Sequence, residues 1–188
     1  ATGKTLTVTI EQAKVSRVPA HITLKNGSWA SYTKSNVSYN PDAGKCIAGF
    51  EWTGDENGDI RIYTCDIKVV DSSYREIPGA TISIGTITQR VQPGSSCLYF
   101  DAVMGGILAG YVHIGDENKN TTWYIRTINV FYDGKLYKSV TVRQFEKSGI
   151  SKKGGFFNVY NEYPASYNFI VDGAECGDER GTLRYFYS

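Results

Sequence analysis

Adjacent carboxylates recur three times in this chain of 188 residues, at Asp55-Glu56, Asp116-Glu117 and Asp178-Glu179, each pair preceded by a glycine. Ionised acids are pure acceptors with two oxygens apiece, which suits them to an array of sugar hydroxyls. A sugar also has an apolar face, and Trp52, Tyr111 and Tyr185 stand close to the three pairs in sequence. These residues are the candidate ligand-binding set, and carbohydrate is the ligand class they fit. The same acids have a purely structural use, because an aspartate in a tight turn bonds its own backbone two residues on.

Other chemistries find less support. Asp55, Asn57 and Asp59 with Gly58 alternate like calcium ligands, but the second copy has Lys119 and Asn120, and no bidentate glutamate follows at the spacing such a loop needs. The histidines, His21 and His113, lie beside no nucleophile signature. Nothing selects one carboxylate pair for glycoside hydrolysis, and an active site is one asymmetric constellation rather than a threefold repeat. No Cys-x-x-Cys spacing suggests zinc. The sequence therefore reads as non-enzymatic, with no cofactor and no metal.

The elements that must position the acids are themselves repeated. From Gly54 to Gly115 is 61 positions and from Gly115 to Gly177 is 62. Ile47-Ala48-Gly49-Phe50 precedes the first pair as Leu108-Ala109-Gly110-Tyr111 precedes the second. After the third turn, Leu183-Arg184-Tyr185 answers Ile60-Arg61-Ile62. The offset of 61 also carries Ile67 and Val69 back to Leu6 and Val8. One domain over residues 1–188 follows, made of three repeats of about 61 residues, with the N-terminal strand (5–10) and the C-terminal strand (183–187) completing one repeat between them. A self-similar period of this kind means equivalent units that bury their apolar faces together.

Alternation in Thr5–Ile10, Asp66–Val69 and Ala80–Ile84 predicts half-buried strands. Turn chemistry is expected at Asn26-Gly27, Asn57-Gly58, Pro93-Gly94, Asp133-Gly134 and Gly154-Gly155; only residues 11–18 have a partly helical spacing. Each repeat has room for four strands. The fold class is thus all-β, a pseudo-threefold β-prism of three antiparallel sheets, with a β-trefoil or a β-sandwich as alternatives; the trefoil repeat is shorter.

The acidic turn followed by Ile60-Arg61-Ile62 and Cys65, and the ending Gly177-Asp178-Glu179 with Leu183-Arg184-Tyr185-Phe186, resemble the repeat of the vitelline membrane outer layer proteins. That resemblance implies an extracellular β-prism with a structural or carbohydrate-related role. The chain departs from the family pattern in having fewer cysteines, and Arg126 stands where Cys65 stands in the first repeat.

Four cysteines allow three pairings. Cys46 and Cys65 flank the first acidic turn symmetrically and are expected to face each other in a hairpin as a disulfide; Cys97 and Cys176 then form a second, worth about 3–5 kcal/mol if unstrained. Even cysteine number and 14 tyrosines suit a secreted β protein, as does a start at Ala1 after removal of a signal peptide. Sequons at Asn26, Asn36 and Asn120 would make it a glycoprotein.

Twenty basic against nineteen acidic residues give a net charge of +1, which supplies no field for nucleic acid. Lys147, Lys152 and Lys153 read as a solvated loop, and no run reaches the roughly 20 apolar residues of a membrane span. A secreted, lectin-like module that binds a carbohydrate or an extracellular matrix component is the leading expectation. The other is a structural coat protein, or a toxin or inhibitor that uses the prism as a scaffold.

Overall fold

The computed structural model describes residues 20–40, 44–53, 58–93, 98–101, 106–116, 119–138, 145–151, 154–162, 170–176 and 182–187. In chain order the elements are β1 (His21–Thr33), β2 (Asn36–Tyr39), β3 (Lys45–Trp52), β4 (Asp59–Val70), β5 (Thr81–Gln92), β6 (Leu98–Asp101) and β7 (Gly106–Ile114). There follow β8 (Thr121–Tyr132), β9 (Lys135–Lys138), β10 (Phe145–Ser151), β11 (Phe156–Asn158), the single helical turn α1 (Val159–Glu162), β12 (Ile170–Cys176) and β13 (Thr182–Tyr187). The chain is all-β, in three antiparallel sheets that do not close into a barrel. Among the described residues no helix is long and apolar enough to cross a membrane.

Each sheet is centred on a hairpin that flanks one Gly-Asp-Glu turn. The first has the order β1-β4-β3-β11, the second β5-β8-β7-β2 with β9 added to β8, and the third β10-β13-β12-β6. The short strands are exchanged: β2 follows β1 in the chain but joins the second sheet, β6 joins the third, and β11 joins the first. Bulges repeat in step with the sequence. β3 slips against β4 between Ile47 and Gly49, β7 against β8 between Leu108 and Gly110, and β12 against β13 between Ile170 and Asp172.

Alternation explains which faces are buried. In β3, Phe50 and Trp52 enter the core while Glu51 is half-buried; in β4, Ile60 and Ile62 are buried and Arg61 is half-buried between them. Phe50 stacks on Trp52 with centroids 5.1 Å apart and meets Tyr111 of β7 edge-on at 5.4 Å. Tyr111 in turn meets Trp123 of β8 at 4.8 Å, and the Trp123 Nε1–H donates to Gln92 Oε1 at 3.1 Å. Ile170, from the third sheet, is fully buried in the same core.

One turn expectation holds and another does not. Asp133 and Gly134 have φ of 50° and 67° and make the tight β8–β9 hairpin, since two left-handed residues match the strand twist. Asn26-Gly27 is no hairpin turn: it lies inside β1, where the register with β4 slips between Lys25 and Ser28. Asn26 takes φ of 55° there, and the Tyr63 ring lies where a Cβ on Gly27 would be. The residue pair signals a left-handed kink in either setting, and only the partner strand decides which. Asn57, Gly94, Lys152, Lys153 and residues 5–18 lie outside the described residues. The C-terminal strand β13 pairs on both sides, with β10 and β12.

Cys46 and Cys65 face each other in register, as the hairpin symmetry requires, but both are free thiols rather than the expected disulfide. Cys97 lies outside the described residues; Glu175, next to Cys176, pairs with Leu98. Burial pushes the Cys65 thiol up to about 12 and raises Cys46 well above its ordinary value, with each other's charge as a smaller cause at Cys46. A thiol in the unfolded chain titrates near 8.5, so the native state holds these protons longer than the unfolded state does. The stability they supply is complete below about pH 8.5 and is lost as pH rises toward 12. Urea midpoints measured from pH 7 to pH 11 are therefore expected to fall from about pH 8.5 upward, and to fall less in Cys46→Ala/Cys65→Ala. An equal fall in the double variant would refute this assignment.

Candidate functional site

The acidic turn described best is the second. Gly115, with φ of 110°, donates its N–H to Ser35 O at 2.8 Å, and Lys119 N–H donates to Asp116 O at 2.9 Å. His113 spans the hairpin: Nε2 lies 3.0 Å from Asp116 O and Nδ1 lies 3.0 Å from Thr121 Oγ1. A carbonyl accepts only, so Nε2 carries a proton and donates to Asp116 O, while Nδ1 pairs with the Thr121 hydroxyl, which can donate or accept. Both ring nitrogens are thereby committed to holding the turn. Asp116 itself is exposed. Asp55, Glu56, Glu117, Asp178 and Glu179 lie outside the described residues.

Two of the aromatic residues assigned to those turns are placed otherwise. Trp52 and Tyr111 are each 3% exposed, inside the core cluster, and so present no ring to a ligand in solvent. Tyr185 lies on β13, its backbone opposite Lys147 and Gly173. His21 is exposed at the start of β1, opposite Val70.

The outward face of the first sheet gathers a different set. Directly opposed residues share a face, as do residues two apart on one strand, so Trp29 and Tyr63 stand in one row and Ser31, Arg61, Glu51 and Phe156 in the next, across β1, β4, β3 and β11. Arg61 Nη1 donates to Glu51 Oε2 at 2.7 Å, with the two side chains 39% and 30% exposed. The guanidinium carbon stands 4.8 Å from the Trp29 ring centroid, a cation–π contact. Trp29 meets Tyr63 edge-on at 5.0 Å and Phe156 at 5.8 Å, tilted by 46°. Tyr63 also meets the Tyr160 ring of α1 at 5.6 Å. Burial raises the Tyr63 pKa, with Cys65 and Tyr160 as smaller causes, which keeps it a neutral phenol. Phe156 is 51% exposed.

This face combines a solvent-exposed ring, a half-buried indole, and a carboxylate and guanidinium fixed against each other. It therefore offers ring faces for stacking, two carboxylate oxygens as acceptors and guanidinium N–H donors, with the unit charges cancelled within the pair. Its counterparts differ. The cross-strand pair Glu51 and Arg61 becomes Val112 and Thr122 in the second sheet, and Ala174 and Arg184 in the third. The fold is repeated, whereas this arrangement occurs once among the three equivalent pairs.

Sequence reasoning missed this face because its members come from residues 29, 51, 61 and 156. A signal was present: Arg61 between Ile60 and Ile62, and Glu51 between Phe50 and Trp52, are charges on strands whose alternate residues are core. Among the described residues no three His, Cys, Asp or Glu side chains gather as a metal site. Compared with protein-family models, with curated proteins and with solved structures, the chain matches none.

Proposed function

We propose that this chain is a secreted, non-enzymatic, lectin-like module that binds carbohydrate through the outward face of the first sheet. The observation that carries the reading is the exposed Phe156 ring against Trp29, beside the Arg61–Glu51 ion pair. A pyranose stacks its polarised C–H bonds on the negative face of an aromatic ring, and its equatorial hydroxyls then meet the carboxylate and the guanidinium. The matched charges favour a neutral sugar over an anionic one. Three sheets related by strand exchange, with bulges recurring at the repeat spacing, support the pseudo-threefold β-prism as scaffold. A functional site grafted onto one face of a repeated fold is a common solution.

A glycan array followed by calorimetry tests the proposal. Phe156→Ala and Trp29→Ala are each expected to weaken binding at least tenfold, about 1.4 kcal/mol, while Asp116→Ala leaves it unchanged. Loss on Asp116→Ala with binding kept in the two aromatic variants would return the site to the acidic turns. Absence of any signal on a broad array would favour a structural or interaction protein of an extracellular coat, for which the Trp, Tyr and Arg of this face are also apt.

A further inference from the structure

Cys46 and Cys65 stand directly opposite each other on β3 and β4, 1% and 0% exposed, both as free thiols. Opposed residues of an antiparallel pair hold their Cα atoms about 4.5–5.5 Å apart, within the roughly 4.4–6.8 Å that a disulfide spans without backbone movement. The ladder is intact beside them, with Ile67 N–H donating to Gly44 O at 2.8 Å. The site is particular to this hairpin, because the equivalent cross-strand pair of the second sheet is Ile107 and Arg126. The register thus permits a bond, while burial denies an external reagent the sulfur atoms.

We propose that Cys46 and Cys65 are a disulfide site whose redox state is set while the chain folds and is then retained by the closed hairpin. The co-reactant is a small disulfide of the glutathione class. One cysteine thiolate attacks a sulfur of oxidised glutathione, forming a mixed disulfide and releasing a glutathione thiolate. The second cysteine thiolate attacks the protein-bound sulfur of that mixed disulfide and releases the second glutathione. Two protein S–H groups are oxidised to one S–S bond, one oxidised glutathione is reduced to two thiols, and the two protein protons pass to them through solvent.

The open chain and the folded hairpin differ greatly in this chemistry. Only the thiolate attacks, and a thiol raised from about 8.5 to about 12, as Cys65 is, has a thiolate fraction roughly three-thousandfold lower at neutral pH. Greater intrinsic nucleophilicity returns part of this, leaving attack about a hundredfold slower. Occlusion by the core slows it further. A bridge already formed is protected in the same way, since a reductant must also reach a sulfur.

The test uses the full chain with all four cysteines. One sample is refolded from denaturant in a glutathione redox mixture; the other is folded reduced and then placed in the same mixture for the same time. After alkylation, trypsin cleaves behind Lys45, Arg61 and Lys68, so the bridge appears as peptide 46–61 joined to peptide 62–68, distinct from any link through Cys97 or Cys176. The expected result is that the joined peptide forms during refolding and at least a hundredfold more slowly in the folded protein. Once formed, it resists dithiothreitol until denaturant is added. Comparable rates in the two samples would overturn the proposal, and so would absence of the joined peptide after refolding.

Discussion

Replacing Phe50 with alanine lowers the stability of the chain by about 3–5 kcal/mol. The ring is fully buried and links the two hairpins through the aromatic cluster, meeting Trp52 in its own sheet and Tyr111 and Trp123 in the second. Truncation removes its transfer free energy and leaves a cavity that three large rings, fixed by their own strands, are poorly able to fill. Against a total stability of roughly 5–15 kcal/mol, such a loss leaves the folded state marginal. Urea unfolding followed by tryptophan fluorescence reads the effect as a fall in midpoint. Leu136→Ala is the control, since this side chain is 57% exposed and its removal should change stability by no more than about 0.5 kcal/mol. A loss under about 1 kcal/mol for Phe50→Ala would show that the two sheets are not joined through this ring.

Gly49→Val is expected to cost about 1–3 kcal/mol or more and to abolish the proposed carbohydrate binding together with it. Gly49 follows the bulge in β3 and pairs with Tyr63 on one side and Asn158 on the other. A Cβ there would lie 2.6 Å from Phe157 O and 2.9 Å from Asn158 Cα, and these backbone atoms cannot swing aside as a side-chain tip can. Glycine in a strand interior often marks such a close approach of another backbone. The response is displacement of β11, which carries Phe156 away from Trp29. Gly154→Ala is the comparison, because nothing lies within 4 Å of a Cβ at that position. If Gly49→Val kept wild-type stability and affinity, β11 would not be the fourth strand of the binding sheet.

Much of the frame was legible because repetition and hairpin symmetry are local facts. Cys46 and Cys65 flank the first turn evenly, and the ladder runs from them to Trp52 opposite Ile60 with one slip, at the bulge. The all-β class followed from alternation in segments such as Asp66–Val69, which lie in β4. The site was not legible in the same way. Trp52 reads as a platform beside an acidic turn, yet its place two residues after Phe50 puts it on the core face of β3. Phe156 and Trp29 are separated by most of the chain, and only the exchange of β11 into the first sheet brings them together. A cross-strand ion pair such as Arg61 with Glu51 needs the register, which a bulge at Ala48 shifts by one residue. Long-range pairing of this kind is fixed by tertiary packing, and local propensity carries no trace of it.

Strand exchange also imposes an order on biosynthesis. The first hairpin leaves the ribosome with one edge of β3 bare, because its neighbour Phe156 lies 105 residues after Glu51. At about 5–20 residues per second, that edge waits on the order of 5–20 s for its partner, exposed to pairing with other nascent chains. The face proposed to bind ligand is completed at the same moment, so a product truncated before residue 156 lacks it however well the earlier strands fold. On the proposed reading, recognition is thereby reserved for chains extended past β11.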